Sequence, residues 1–149
     1  MKYLQLSIFL FLFLCQNAAA QTEEAAIRQV IEAESKAYHF NADRTAFLAY
    51  WHVTPDARMV YSEPAITVLL GSEQLSPTNP QLLQSKPDFA VNTYSNVVIR
   101  AHGTVAWATL DQKSALPDGT VSFFHEFRGM EKVEGAWKIV NSSVQKYKP

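Results

Sequence analysis

Residues 119–141 read GTVSFFHEFRGMEKVEGAWKIVN and predict two long strands joined by a tight turn at Glu134-Gly135. Side chains alternate along a strand, so His125 and Glu126 belong to opposite faces of the first strand. One face holds Phe123, His125 and Phe127, and the other holds Phe124, Glu126 and Arg128. Whichever face is buried takes an ionisable group with it, which costs free energy unless that group is paired or faces a cavity. The stretch therefore indicates a pocket without naming its ligand.

The first twenty residues have the three parts of a secretory signal peptide. Lys2 is followed by an apolar run from Leu4 to Leu14, and small residues at 18–20 precede Gln21. The run is about half the length that spans a bilayer. We expect removal of residues 1–20 and one exported domain, periplasmic or secreted, over residues 21–149, without stable membrane insertion. A retained membrane anchor and lipidation at Cys15 stay open as alternatives, although Leu14 is larger than the small residue that precedes a lipidated cysteine.

The composition of the exported part limits its partners. Removal of residues 1–20 leaves 12 basic and 14 acidic residues, without a dominant basic patch, so we expect no nucleic-acid partner. It also removes Cys15, the one cysteine of the sequence, so we expect no disulfide.

Motifs for metals and cofactors are missing from the sequence. The four histidines, at positions 39, 52, 102 and 125, lack the close spacing of metal ligands. There is no Gly-x-Ser-x-Gly nucleophile motif and no glycine-rich phosphate loop. We therefore expect no metal and no cofactor.

The order of predicted elements favours an α+β fold, because helices come first and strands follow. We expect a helix from Thr22 to beyond Tyr38, a short helix capped by Asp43, a strand within 57–62, an apolar run at 66–70 and a short helix at 81–84. Four long strands follow, at 89–100, 104–112, 120–133 and 136–147. We predict a cone-shaped roll in which a curved, mainly antiparallel sheet wraps over the N-terminal helices and leaves one end open to a small molecule.

In this order, the motifs resemble the nuclear-transport-factor-2-like superfamily, in particular its secreted SnoaL-like members. The matching residues are 41–43, 47–51, 56–60, 71–73 and 131–139. The resemblance implies a cone-shaped α+β barrel, a deep pocket and frequent homodimers through the outer face of the sheet. It does not imply one function, because the superfamily includes isomerases, dehydratases, epoxide hydrolases, cyclases and non-catalytic binders.

Among the enzymes of the superfamily, ketosteroid isomerase gives the most useful comparison. Glu63-Pro64 resembles the carboxylate-proline pair in which the carboxylate abstracts a proton. Phe127-Arg128 matches the end of a later motif of that family, with His125 in the place of its acid. The helix tyrosine that helps to bind the oxyanion does not align, since Tyr38 lies about two residues away. These departures argue against steroid isomerisation itself.

Glu63 and His125 are the candidate acid–base pair. Burial in an apolar cone would raise the pKa of Glu63 and make it a base near neutral pH, and His125 could then stabilise an oxyanion. The alternative is that Glu63 is solvated at the rim of the cone and that His125 is a core histidine with its hydrogen bonds satisfied.

Five further residues are candidates for ligand contact. Trp51 and Tyr61 combine a large apolar area with one polar group and could line the mouth of the pocket, although ordinary core packing is the favoured explanation for Trp51. Tyr94 and Asn141 point inward only if their strands keep the expected register. Phe127 shares the face of His125 and would line the pocket with it.

Glu126 and Arg128 lie on the face opposite His125 and could pair with each other, either on a solvated outer face or at a dimer interface.

Three functions remain open. The first is an exported domain that binds a small apolar or semi-polar molecule. The second is a cofactor-independent lyase or isomerase, and the third is a structural dimerisation module.

Overall fold

The structure is a computed structural model that describes residues 23–38, 43–62, 65–82 and 91–149. Helix α1 covers residues 23–36 and ends in a π turn at 37–38. Helix α2 is Arg44–Leu48, and the carboxylate of Asp43 caps it by accepting a hydrogen bond from the amide of Ala46 at 3.0 Å, as predicted. The segment predicted as a signal peptide and the last two residues of the helix predicted at 81–84 lie outside the described residues.

Six strands form a single mixed sheet in the described part of the chain. They are β1 (Arg58–Tyr61), β2 (Thr67–Leu70), β3 (Val91–His102), β4 (Val105–Ala115), β5 (Val121–Val133) and β6 (Ala136–Tyr147). A short helix α3, Gly71–Gln74, follows β2. The strand order is β2-β1-β6-β5-β4-β3, with β1 and β6 parallel and every other neighbouring pair antiparallel. The predicted α+β fold with a curved, mainly antiparallel sheet is therefore confirmed.

The turn between β5 and β6 has the geometry that its sequence predicts. Glu134 and Gly135 have φ angles of 50° and 85°, and Val133 pairs directly with Ala136. A two-residue turn with two positive φ angles matches the twist of the flanking strands. This turn sets the register of the hairpin that carries the candidate site.

The two faces of the sheet differ in burial. The inner face, which packs against α1 and α2, buries Leu110, Met130 and Ile139 together with Ile27 and Phe47 of the helices. The outer face is exposed and carries large apolar side chains on several strands, namely Val68, Leu70, Val98, Val105, Trp107, Phe127 and Tyr147. Within the described residues, no helix is both long and apolar enough to cross a bilayer.

The first turn of α1 is fastened to the hairpin of β5 and β6. The carboxylate of Glu23 accepts hydrogen bonds from Nζ of Lys132 at 2.6 Å and from Nε1 of Trp137 at 2.5 Å. These donors lower the pKa of Glu23, with Lys132 the larger cause. The contact fixes α1 across the inner face and so places the residues further along the helix.

Candidate functional site

The structure corrects the expected orientation of His125. Its side chain lies on the outer face and is 59% exposed, and its Nδ1 lies 2.7 Å from Oδ1 of Asp111. The expectation that the imidazole points inward is wrong, because β5 turns its even-numbered side chains toward the helices. Phe127 is on the outer face with His125, so its expected inward position is wrong for the same reason.

Asn141 also lies on the outer face and is exposed. The pairing of β5 with β6 shifts between Gly129 and Met130, whose partners are Asn141 and Ile139. Val140 is therefore an extra residue at a β-bulge, which turns Asn141 to the opposite side from Ile139. The expected inward position of Asn141 is wrong for this reason.

Three candidate ligand contacts do lie on the inner side. Trp51 is buried, Tyr94 is half-buried, and Tyr61 is half-buried and donates a hydrogen bond to the carbonyl of Gln81 at 3.1 Å. Glu63 lies outside the described residues, so the expected position of its carboxylate in the interior stays a prediction. The imidazole of His125, however, faces away from the interior in which it was expected to meet Glu63.

The inner face holds a buried ionic cluster of Glu34, Glu126 and Arg128. Nη2 of Arg128 lies 2.8 Å from Oε2 of Glu126 and 3.6 Å from Oε2 of Glu34, and all three side chains are at most 5% exposed. Nη1 of Arg128 donates to Oγ of Ser142 at 2.6 Å. The predicted pairing of Glu126 with Arg128 is confirmed, but on the inner face rather than on a solvated surface.

Helix α1 completes this cluster and fixes its orientation. Oε1 of Glu34 accepts a hydrogen bond from Nε1 of Trp51 at 3.2 Å, so the carboxylate is held between the indole and the guanidinium. At the next residue of α1, Oγ of Ser35 accepts a hydrogen bond from the hydroxyl of Tyr94 at 2.7 Å. Nδ2 of Asn92 also approaches this oxygen, at 3.5 Å. Successive residues of α1 thus contact the cluster and the polar side chains of β3.

Burial shifts the pKa values of Glu34, Glu126 and Tyr94 in the same direction. Desolvation raises the pKa of Glu34 and of Glu126 above 4.5, even though Arg128 favours their charged forms. Desolvation likewise raises the pKa of Tyr94. Burial alone would lower the pKa of Arg128, but the two carboxyls outweigh it and the net shift is upward. Arg128 therefore stays charged, and burial makes both neighbouring carboxyls harder to ionise than exposed ones because it raises the pKa of each.

The cluster keeps unused hydrogen-bonding capacity. Among the described residues, Nε of Arg128 and Oδ1 of Asn92 are buried without a hydrogen-bond partner. Oε2 of Glu126 is close to Nη2 of Arg128 but lacks hydrogen-bond geometry there. Buried polar groups are normally satisfied, so each such atom calls for an explanation. Together they leave one donor and two acceptors buried on the inner face without a hydrogen bond.

The chemistry of the inner face changes along the strands. Toward the turn of β5 and β6 it is apolar, with Met130 and Ile139 buried. The ionic cluster follows, and beyond it Nε2 of Gln112 donates to Oγ of Ser114 at 2.7 Å, both side chains being buried. A group of three or more side chains able to hold a metal ion is not found in the described ranges.

A second polar cluster lies on the outer face around Asp111. Its two carboxylate oxygens bind Nδ1 of His125 and Nδ2 of Asn96, each at 2.7 Å. These contacts lower the pKa of Asp111, with His125 the larger cause. Asn96 has a positive φ of 51° at the irregular pairing of β3 with β4 between Ser95 and Val98. This bulge brings the amide to the carboxylate.

Sequence reasoning missed Glu34 and Ser35 as site residues. Glu34 falls at helical spacing with Ile27, Val30, Ile31 and Tyr38, so an acid stands within the apolar stripe of α1. That position was the available signal, because an acid facing a core needs a buried partner. Arg128 is that partner.

Comparisons with known proteins agree with this architecture. No protein-family model matches the chain, and no curated protein matches it either. A nuclear-transport-factor-2-like protein of unknown function from Pseudomonas putida superposes with a TM-score of 0.68 at 18% identity, over 85% of this chain and 87% of that one. Another such protein, from Shewanella baltica, gives 0.61 at 20% identity over 86% and 96%.

A third solved structure carries a functional name. It is a candidate ketosteroid isomerase from Parabacteroides distasonis, with a TM-score of 0.62 at 21% identity over 80% of this chain and 86% of that one. These likenesses show the fold: the predicted nuclear-transport-factor-2-like architecture is confirmed.

Proposed function

We propose that this nuclear-transport-factor-2-like domain binds a small, uncharged, semi-polar molecule between α1 and the inner face of its sheet. The observation that carries the proposal is the buried cluster of Glu34, Glu126 and Arg128 beside the hydrogen-bonded Tyr94 and Ser35. A buried ionic cluster contributes little net stability, because desolvation offsets the attraction between the charges. A role in recognition accounts for its presence better than a role in folding does.

The charge of the cluster argues for an uncharged ligand. The positive charge of Arg128 is already opposed by two carboxyls, and burial raises the pKa of each carboxyl and so favours its neutral form. Such a cluster attracts neither anions nor cations strongly. It can still donate or accept hydrogen bonds, while the apolar end of the inner face suits a ring or a short hydrocarbon.

Export and self-association complete the proposal. The pattern of residues 1–20 supports secretion into the periplasm or the medium. The exposed apolar side chains of the outer face support a homodimer, because scattered apolar residues are ordinary but a sheet face that carries them on most strands favours association.

The test uses defined probes and matched variants. Saturation-transfer NMR measures binding of acetophenone, 2-naphthol, indole and benzamide, with benzoate and benzylamine as charged counterparts. We expect an uncharged compound to bind, and Tyr94→Phe to weaken it by about tenfold through the loss of one buried hydrogen bond. His125→Gln is the control, since that side chain lies on the outer face and should leave binding unchanged.

Two results would count against binding at this site. One is a preference for benzoate or benzylamine over the uncharged probes. The other is an affinity that falls in His125→Gln and not in Tyr94→Phe. If no probe binds while the protein is dimeric, the dimerisation module is the better description.

A second candidate function is proton transfer by a cofactor-independent lyase or isomerase. The observation that favours it is the pair of buried carboxyls, Glu34 and Glu126, because burial raises the pKa of both, which is the direction of shift that suits a carboxyl to general acid or base catalysis. Ionised, either carboxylate can take a proton next to a carbonyl group. Protonated, the other can donate a hydrogen bond to the resulting oxyanion.

Deuterium exchange tests this chemistry without a known substrate. The protein is incubated with acetophenone in D2O, and NMR follows the loss of the methyl protons next to the carbonyl. Catalysis predicts faster exchange than in buffer, abolished by Glu126→Gln or Glu34→Gln with binding retained. Exchange at the buffer rate, or exchange that survives both substitutions, removes these carboxyls as the acid and base.

A further inference from the structure

Strand β2 forms one edge of the sheet, and within the described residues it pairs only with β1. Ile66, just before the strand, and Val68 and Leu70 within it are 79%, 42% and 50% exposed. Residues 65–70 read AITVLL and contain neither a charge nor a proline. Short segments with high β-propensity and no charge readily pair with the same segment of another chain. An open β2 edge is therefore a place at which a second copy of this chain can attach.

The register of β1 and β2 determines which backbone groups of this edge are open. The amide of Gly71 donates to the carbonyl of Ala57 at 2.9 Å, so this pair continues the antiparallel ladder by one residue. Hydrogen-bonded pairs alternate with non-hydrogen-bonded pairs in such a ladder. The amides of Val68 and Leu70 therefore point away from β1, toward the position of an added strand.

Gln74 of α3 occupies the hydrogen-bonding position at one of these two amides. Its Oε1 accepts a hydrogen bond from the amide of Leu70 at 2.7 Å. Its backbone carbonyl accepts another from Nδ2 of Asn79 at 2.6 Å, which ties Gln74 to the turn that follows. A strand added to β2 would place a carbonyl where Oε1 lies, so the side chain of Gln74 must leave before that strand can pair.

We propose that Gln74 blocks the open edge of β2 and so prevents a second copy of this chain from adding its own β2 strand there. This role concerns the edge of the sheet and depends neither on ligand binding nor on contacts of the outer face. Antiparallel pairing centred on Val68 places each Val68 beside its counterpart and Ile66 beside Leu70. All of these cross-strand pairs are apolar, so a second copy of β2 fits the edge once Gln74 leaves it.

The same hydrogen bond also caps α3, because Leu70 is the N-cap residue of that helix. Capping alone predicts that loss of the Gln74 side chain lowers stability and leaves the assembly state unchanged. A blocking role predicts that the folded variant also associates through β2. Particle size therefore separates the two roles, whereas stability does not.

The test compares two substitutions of Gln74. Gln74→Met keeps the length of the side chain and removes the acceptor, whereas Gln74→Glu keeps an acceptor in the same place. Analytical ultracentrifugation across a concentration series measures particle size, and near-ultraviolet circular dichroism reports whether each variant is folded. We expect Gln74→Met to form particles larger than those of the wild type, at concentrations about tenfold lower than the wild type requires, because one hydrogen bond no longer opposes pairing. Gln74→Glu should match the wild type, as should Glu73→Ala, an exposed position on the same helix.

A second substitution locates the association on this edge. Val68→Pro removes the open amide of residue 68 and no hydrogen bond to β1, and proline is tolerated where the N–H of an edge strand faces solvent. Added to Gln74→Met, it should restore the particle size of the wild type. Ile66→Lys should do the same through its charge, and it leaves the backbone of β2 unchanged.

Three results would overturn the blocking role. A folded Gln74→Met variant that matches the wild type at every concentration would leave Gln74 as a helix cap alone. Association that neither Val68→Pro nor Ile66→Lys reverses would place the contact away from β2. A Gln74→Met variant that loses its fold while Gln74→Glu keeps it would show that the hydrogen bond holds the fold together rather than protecting an edge.

Discussion

The guanidinium of Arg128 on β5 lies 3.6 Å from the carboxylate of Glu34 on α1, measured from Nη2 to Oε2. The contact joins the N-terminal helix to a strand near the C-terminus across the inner face of the sheet. Both side chains are buried, so neither charge can be transferred to water without moving the helix. The pair therefore links the position of α1 to the protonation of the interior.

The first prediction concerns removal of the positive charge. Arg128→Met leaves Glu34 and Glu126 buried without a counter-charge, and we expect a loss of about 3–5 kcal/mol in the free energy of unfolding at neutral pH. The loss should be smaller at about pH 5, because protonated carboxyls need no counter-charge. Urea unfolding at both pH values measures it.

Arg100→Met is the matched control for this prediction. Arg100 is exposed on the outer face, and its removal should change the stability of the monomer by at most about 0.5 kcal/mol. Equal losses in the two variants would show that the interior cluster carries no special electrostatic cost.

The second prediction follows from the raised pKa of Glu34. A carboxyl whose pKa is higher in the folded than in the unfolded protein stabilises the fold fully below its unfolded pKa, near 4.5. That contribution is lost as the pH rises toward the folded pKa. Glu34→Gln removes this titration, so the variant should gain stability relative to the wild type as the pH rises from about 4.5 toward neutrality. The slope cannot exceed about 1.4 kcal/mol per pH unit for one proton.

The difference in stability between the wild type and Glu34→Gln, followed over pH, separates the titration of Glu34 from that of the other acids. Glu23 and Asp111 have lowered pKa values and act in the opposite direction at lower pH, but both proteins contain them. Glu32→Gln serves as the control, because Glu32 is exposed on the same helix. A difference between wild type and Glu34→Gln that stays constant with pH would contradict the burial of an ionisable Glu34.

The order of elements and the last hairpin could be predicted from sequence, because local signals determine both. The turn at Glu134-Gly135 requires positive φ angles, and Asp43 is a good helix cap. The short helix at Gly71–Gln74 was not predicted, since four residues give too little periodicity to recognise. Local sequence rules therefore predicted the main helices and strands and missed this four-residue helix.

The orientation of β5 could not be predicted, because long-range contacts decide it. From the sequence of β5 alone, burying His125 costs less free energy than burying both Glu126 and Arg128. The second orientation becomes favourable only when Glu126 and Arg128 pair with each other and Glu34 of α1 joins them. The inward position predicted for Asn141 was wrong for a different reason. Strict alternation along β6 correctly predicts that Trp137 and Ile139 are buried, but the β-bulge at Val140 interrupts this alternation before Asn141. A one-residue irregularity reverses every later side chain in a strand.

The last prediction compares two glycines with similar backbones and different surroundings. Gly71 and Gly103 have φ angles of +68° and +61°, so alanine at either position carries the strain of a left-handed backbone, about 1–2 kcal/mol. A Cβ atom at Gly71 would also lie 3.0 Å from the carbonyl oxygen of Pro55, whereas one at Gly103 meets nothing within 4 Å.

We therefore expect Gly71→Ala to lower the free energy of unfolding by about 1 kcal/mol or more beyond the loss in Gly103→Ala, since overpacking against backbone adds to the strain. Urea unfolding of both variants under identical conditions measures the difference. The amide of Gly71 also donates to the carbonyl of Ala57 at 2.9 Å, so a shift of this backbone would disturb the start of β1. Equal losses would mean that the segment around Pro55 moves aside at no cost, and that the junction between β2 and α3 does not hold the first strand in place.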